Sequence, residues 1–343
     1  MQDTVEWKVT GAGMDQIRVA ESRWRDADAW VLTGRELEVV VTKIGGHIAS
    51  VTTPGDDLNP LWQPPWPAAA PAEAASQPEV YGEGPEAPLL AAIVGHNLCL
   101  DRFGPSWPGE SRPVHGEAGV VAWRFDGRST ADRIVLDADL PEAVLRVSRS
   151  FEMDGDALSL TTRVSHSGDA PRGIEWAEHV TLGDPFLDGA HFSVAADGAW
   201  IWGGEPRDRW RFSDADAEAP VPPDAALAMP PASAGEPYGD IVTIRLVHGE
   251  FRAERRDLGR ALEYRWDVDE FPWLCLWTQH RSRTAKPWNG VTRARGMEFS
   301  TKPYPEGKPP SERATTYQGR PTTCSVPPGA GLERSCRIRW TTI

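Results

Sequence analysis

An all-β protein, a large antiparallel sandwich or barrel carrying long Pro-rich loops, is what three features of this sequence predict. Two-residue alternation of apolar and polar side chains dominates wherever a pattern is visible. One hairpin carries an Asp-Gly turn. More than ten strand candidates are separated by turn residues, while no amphipathic helical pattern of useful length occurs.

In chain order, residues 36–42 (ELEVVVT) alternate, break at Gly45-Gly46 and resume at 47–53 (HIASVTT), which reads as a hairpin. Strand candidates follow at 120–125 and 133–138. Residues 143–152 (AVLRVSRSFE) and 157–166 (ALSLTTRVSH) flank Met153-Asp154-Gly155-Asp156, whose Asp-Gly step supplies the positive φ angles of a tight turn. Residues 174–181 read as a strand, as do 191–195, 240–247, 261–267, 273–278, 296–300 and 335–341. Three stretches rich in Pro break the pattern, at 64–88, 213–237 and 302–328, and read as long surface loops. Strand patterning of one kind continues on both sides of each, so residues 1–343 are expected to form a single domain.

Of the 343 residues, 40% are apolar and 25% charged, a globular composition. A net charge of −14, from 50 acidic and 36 basic residues, repels phosphate backbones and argues against nucleic acid as a partner. The longest uncharged apolar stretch, 87–94, contains Pro88 and falls far short of the roughly 20 residues of a membrane helix. The first thirty residues are charged throughout and lack a signal-peptide pattern, so a cytoplasmic protein is expected. Four widely spaced cysteines (Cys99, Cys275, Cys324, Cys336) suggest neither a zinc site nor a disulfide framework. Sixteen tryptophans suit a core and also the C–H face of a sugar ring.

Walker, His-Glu-x-x-His and Gly-x-Ser-x-Gly motifs are absent, and Gly11-Ala12-Gly13 lacks the third glycine of a dinucleotide fingerprint. Chemistry therefore rests on histidines and acids beside Gly, Trp and Pro. His115 lies in a glycine-rich turn (PVHGEAG), where a ligand can approach the backbone. On the strand IEWAEHVT, Glu175, Ala177 and His179 face one side and Trp176, Glu178 and Val180 the other. Glu298 sits in a short apolar strand (GMEFS), where desolvation would raise its pKa as a general base requires. An ion pair with Arg293 or Arg295 is the structural alternative for it.

As a group, PVHGEAG at 113–119, Glu175 to Thr181 followed by Gly183-Asp184-Pro185-Phe186, and GMEFSTKPYP at 296–305 resemble the galactose mutarotase-like superfamily, which includes the aldose 1-epimerases. The resemblance extends from about residue 36 to the C-terminus and implies the family's large β-sandwich. It implies Glu298 as general base, His179 as general acid and His115 as the second histidine that holds the ring. It also implies Arg102, within GHNLCLDRFG at 95–104, as a sugar contact, with His96 and Glu175 beside the substrate and Trp277 lining the pocket. The family's sugar-binding Asp has no clear counterpart, Asp208 and Asp240 being the candidates. The Trp-Pro stretches at 59–67 and 286–290 also differ from the best-known members and point to a diverged one.

The activity so implied is interconversion of the anomers of an aldose or modified sugar, with a small carbohydrate as partner and no metal or redox cofactor. A carbohydrate-binding protein without turnover is the alternative. A metal-dependent isomerase or lyase using His47, His96, His115 or His179 ranks last, because no two histidines show His-x-His spacing.

Overall fold

The computed structural model describes residues 15–202 and 218–343, so Gly11-Ala12-Gly13 and Asp208 lie outside the described residues. Strands β1 (Arg18–Trp24), β2 (Ala27–Thr33), β3 (Glu38–Thr42) and β4 (Ile48–Thr52) form an antiparallel meander. The segment expected to be loop at 64–88 instead contains a 3-10 turn (Pro71–Ser76), helix α1 (Pro78–Tyr81) and, overlapping its end, α2 (Ala87–Ala92). Each begins with proline in its first turn, where no N–H is missed, and each is too short to display a helical period. Strand β5 (His96–Asp101) then rejoins the meander through an Ile48–His96 bridge.

A second meander follows: β6 (Arg124–Phe125), β7 (Ile134–Leu140), β8 (Leu145–Asp154) and β9 (Ala157–Ser165). Of the strand expected at 120–125, its last two residues pair with β7 and Ala122 bridges Ile44. Strand β10 (Arg172–Gly183) returns to the first group and lies beside β5. Next come β11 (His191–Trp202), β12 (Glu218–Pro220), α3 (Pro223–Leu227) and β13 (Tyr238–Arg255), the last with 18 residues. Strands β14 (Arg260–Trp266), β15 (Trp273–His280) and β16 (Arg293–Ser300) follow. The loop expected at 302–328 holds a small hairpin, β17 (Thr316–Tyr317) with β18 (Arg320–Pro321), and the short β19 (Cys324–Val326), before β20 (Leu332–Thr342).

Pairing gives two antiparallel layers. One runs β1-β2-β3-β4-β5-β10-β16-β15-β13. The other runs β6-β7-β8-β9-β20-β14-β13. β13 belongs to both, because Tyr238 to Arg245 pairs with β15 while Glu250 to Arg255 pairs with β14. Apolar side chains of the two layers meet in one core: Trp266 of β14 stacks on Phe299 of β16 at 4.1 Å between ring centroids.

The core also encloses a charged network. Glu178 on β10 accepts from Arg149 on β8, lies 2.8 Å from His96 Nε2 and accepts from Trp176 Nε1 at 3.2 Å. Arg149 Nε donates to Thr162 Oγ1 at 3.2 Å, and His96 Nδ1 lies 3.3 Å from Tyr264 Oη. Burial alone would raise the Glu178 carboxyl, but Arg149 and His96 outweigh it and hold it below the usual range.

Candidate active site

A cleft of about 380 Å³ opens on the face of the first layer turned away from the core. Its floor follows from strand parity: on β10 the odd residues Ala177, His179 and Thr181 face the cleft, whereas Trp176, Glu178 and Val180 face the core. β16 lies antiparallel to β10 with Glu298 directly opposite His179, so the two side chains share a face. His179 Nε2 and Glu298 Oε1 are 3.2 Å apart. Two residues earlier on β16, a Cβ at Gly296 would sit 2.2 Å from Glu298 Oε1, so glycine there leaves the carboxyl its space.

Both groups are buried, and burial decides their charge. It pushes the Glu298 carboxyl up to about 8, against smaller opposing effects of the Cys275 thiol and Arg283. It pulls the His179 imidazole down to about 4. Near neutral pH the pair therefore holds a single proton, on the carboxyl. With the neutral carboxyl donating to His179 Nε2, the ring hydrogen lies on Nδ1, which donates to Thr181 Oγ1 at 3.2 Å.

His115 enters from the loop after β5. Its backbone adopts φ +63°, a left-handed conformation uncommon for a side chain of this size. Gly104 holds it from both sides: the His115 N–H donates to the Gly104 carbonyl at 2.9 Å, and the Gly104 N–H donates to His115 Nδ1 at 3.2 Å. Nε2 therefore carries the ring hydrogen. Burial first, then the neighbouring His179 and Arg102, keeps this imidazole well below its ordinary range and so neutral. Its centroid lies 5.2 Å from that of His179, with the rings nearly perpendicular. The following Gly116 has φ +79°, and a Cβ there would fall 1.9 Å from the Leu100 carbonyl oxygen.

The walls are aromatic and aliphatic. Trp277 on β15 faces the cleft, and Trp62 and Trp288 stack at 5.7 Å with their planes 11° apart. Trp66 packs edge-on against both and donates to the Leu90 carbonyl at 2.8 Å, tying the helical segment to this wall. At the rim Arg283 lies over the Trp277 and Trp288 rings at 5.4 and 5.1 Å, with Glu86 3.5 Å away.

Glu298, His179, His115 and Trp277 are thus brought together, while three other expected substrate contacts are placed elsewhere. His96 pairs across from Val180 and therefore faces the core, where Glu178 holds it. Glu175 shares the face of His179 but sits four residues, roughly 13 Å, along the strand. There Lys302 Nζ (2.8 Å), Arg313 and the Phe103 N–H (2.9 Å) engage it. Arg102 is buried behind the His115 loop, donating to the Arg112 and Pro113 carbonyls at 2.9 Å each, and it holds that loop in shape. Asp240 is buried on β13 beside Ile241; since Ile241 lines the cleft, Asp240 faces the other side of the sheet. Arg293 pairs with Asp184 and Arg295 with the Ala226 and Ala228 carbonyls, so neither is the partner of Glu298. Among the described residues no three His, Cys, Asp or Glu side chains converge as a metal site, and no helix is long and apolar enough to cross a membrane.

Sequence reasoning missed Thr181, Arg283 and Glu86. The KPWNG and Trp-Pro stretches, which stood out only as departures, supply Trp288 and Trp62.

No family model matches the sequence, and no curated protein does. Solved structures do. The YeaD protein of Salmonella typhimurium aligns over 100% of this chain and 97% of its own, at TM-score 0.63 and 12% identity. A galactose mutarotase-like protein of Clostridium acetobutylicum aligns over 96% and 99%, at TM-score 0.61 and 12% identity. A galactose mutarotase related enzyme of Lactobacillus acidophilus aligns over 92% and 97%, also at 0.61 and 12%. At such identities the likeness shows the fold.

Proposed function

From the galactose mutarotase-like fold and the floor of its cleft, we propose that the protein is an isomerase of the aldose 1-epimerase kind, interconverting the anomers of an aldose or modified sugar. The observation that carries this reading is the contact of Glu298 with His179 at 3.2 Å, and burial of both groups leaves the pair one proton near neutral pH. Ring opening needs a base at the anomeric hydroxyl and an acid at the ring oxygen. Transfer of the shared proton to His179 Nε2 produces both, without changing the total protonation. Glu298 then takes the hydroxyl proton, the bond from C1 to the ring oxygen breaks, and His179 protonates that oxygen. The resulting aldehyde rotates about its bond to C2 and closes on the other face by the reverse steps. His115, donating through Nε2, stabilises charge developing on an oxygen, and Trp277 offers a stacking face to the ring.

The test is NMR exchange of anomeric protons for freshly dissolved aldoses. Acceleration by the wild type that vanishes in Glu298→Gln supports the assignment. Quenching of Trp fluorescence by sugars that are never equilibrated faster would instead mark a binding protein without turnover.

Because the working pair carries one proton, kcat/KM should be flat between about pH 4 and about pH 8. Below that window His179 gains a second proton, leaving Glu298 neutral and no base; above it the shared proton is lost and no acid remains. An alkaline limb displaced from pH 8 by two units or more would refute the paired assignment. Trp277→Ala is expected to raise KM on the order of tenfold with little change in kcat, since one stacking face is worth about 1 kcal/mol. Steady-state kinetics would reveal an equal loss in kcat if the indole instead shaped the reacting groups.

A further inference from the structure

We infer that the cleft is built for a reducing sugar poor in free hydroxyls, a pyranose whose ring positions away from the anomeric carbon bear hydrogen, methyl or O-alkyl groups. This rests on the epimerase reading of the floor and extends it to the rest of the ligand.

The polar groups that line the cleft are few and already committed. Of the sixteen described residues that line the cleft, ten are apolar. The remaining six are Glu298, His179, His115, Thr181, Arg283 and Glu86. The first three serve the anomeric centre. Thr181 is engaged by His179 Nδ1 at 3.2 Å, and Arg283 and Glu86 face one another at 3.5 Å across the rim. The depth profile separates these groups further: the Glu298 side chain is 3% exposed, whereas those of Arg283 and Glu86 are 33% and 39% exposed.

Between floor and rim the surface is that of Leu89, Leu90, Ile93, Val114, Ile241 and the indoles. An unsubstituted hexopyranose carries four hydroxyls besides the anomeric one. Each of these that loses water without finding a partner costs roughly tenfold or more in affinity. A C–H, methyl or methoxy group in the same place buries apolar surface instead and gains affinity. At about 380 Å³, the cleft has room for ring and substituents together.

The experiment compares anomeric exchange of D-glucose, D-galactose, 6-deoxy-D-galactose and 2,3,4,6-tetra-O-methyl-D-glucose, all of which keep the anomeric hydroxyl. In parallel, Trp fluorescence follows binding of the methyl glycosides of galactose and 6-deoxygalactose, which cannot mutarotate. The expected result is a kcat/KM at least tenfold higher for the deoxygenated or methylated sugar than for its parent hexose, and the better of the two tells deoxygenation from alkylation. Ile93 is partly exposed at the end of the helical wall, so Ile93→Gln should be tolerated and should shrink that preference about tenfold. Equal or better turnover of glucose and galactose overturns the inference while leaving the epimerase reading intact. If nothing is equilibrated faster yet the 6-deoxy glycoside binds at least tenfold tighter than the galactoside, the apolar wall stands and the catalytic reading falls. Neither binding nor acceleration with any of these sugars overturns both.

Discussion

Glu298→Gln is expected to cut anomer exchange by a factor on the order of a hundred to ten thousand and, at the same time, to make the protein more stable. The first effect follows from removing the base. The second follows from the position of its titration. In the folded chain the carboxyl keeps its proton up to about pH 8, against an ordinary value of 4.5. Between those limits the unfolded chain has released a proton that the folded one retains, so folding stability falls as pH rises through the window and is fully present only below it. At pH 7 the cost is roughly 3 kcal/mol, at 1.36 kcal/mol per unit of separation. Glutamine does not titrate, and its amide can donate to His179 Nε2 as the neutral carboxyl does. Urea unfolding at pH 5 and pH 8 should give nearly equal stabilities for the two proteins at the lower pH and a variant ahead by several kcal/mol at the higher one. A gain independent of pH would mean that the carboxyl is not held neutral by burial.

Arg149→Met should do the opposite, lowering stability by about 3–5 kcal/mol, because it leaves Glu178 as a buried charge with its main counter-ion gone. The pH dependence again has a definite sign. In the wild type Glu178 titrates below its ordinary value, so its contribution is present above pH 4.5 and lost as pH falls through the lower, folded value. In the variant burial acts on Glu178 without Arg149, its titration moves upward, and stability recovers as pH is lowered. Adding Glu178→Gln should restore most of the loss, and thermal unfolding of both variants at pH 5 and 8 measures it. A single variant as stable as the wild type at pH 8 would show that Glu178 is solvated rather than buried.

Much of the architecture is legible in the sequence because hairpins are local. The segment at 143–166 pairs as β8 and β9 around Gly155 at φ +58°, as its Asp-Gly step requires. Parity along IEWAEHVT is enough to put Glu178 and His179 on opposite faces of their strand. What parity does not contain is register between distant strands. The core-facing side of His96 is fixed only by its pairing with Val180, and His96 and Glu175 are hard to distinguish from cleft residues until β5 is aligned on β10. Arg102 misleads for a related reason: it lies near His115 in space but acts on the loop backbone. The wall is harder still, since Trp62 and Trp288 meet from opposite ends of the chain and neither lies in an alternating segment.

Strand β10 is held between β5, which precedes it in the chain, and β16, which follows much later. During synthesis its β5 edge can pair at once, while the edge that will meet β16 waits for roughly 120 more residues, on the order of ten seconds at 5–20 residues per second. For that interval a strand bearing His179 has an open row of backbone donors and acceptors, the kind of edge that recruits foreign strands. The two halves of the acid–base pair therefore lie on opposite sides of a long wait in the assembly of this sheet. Slowing translation between β10 and β16 should lower the yield of soluble protein more than the same delay placed after β16.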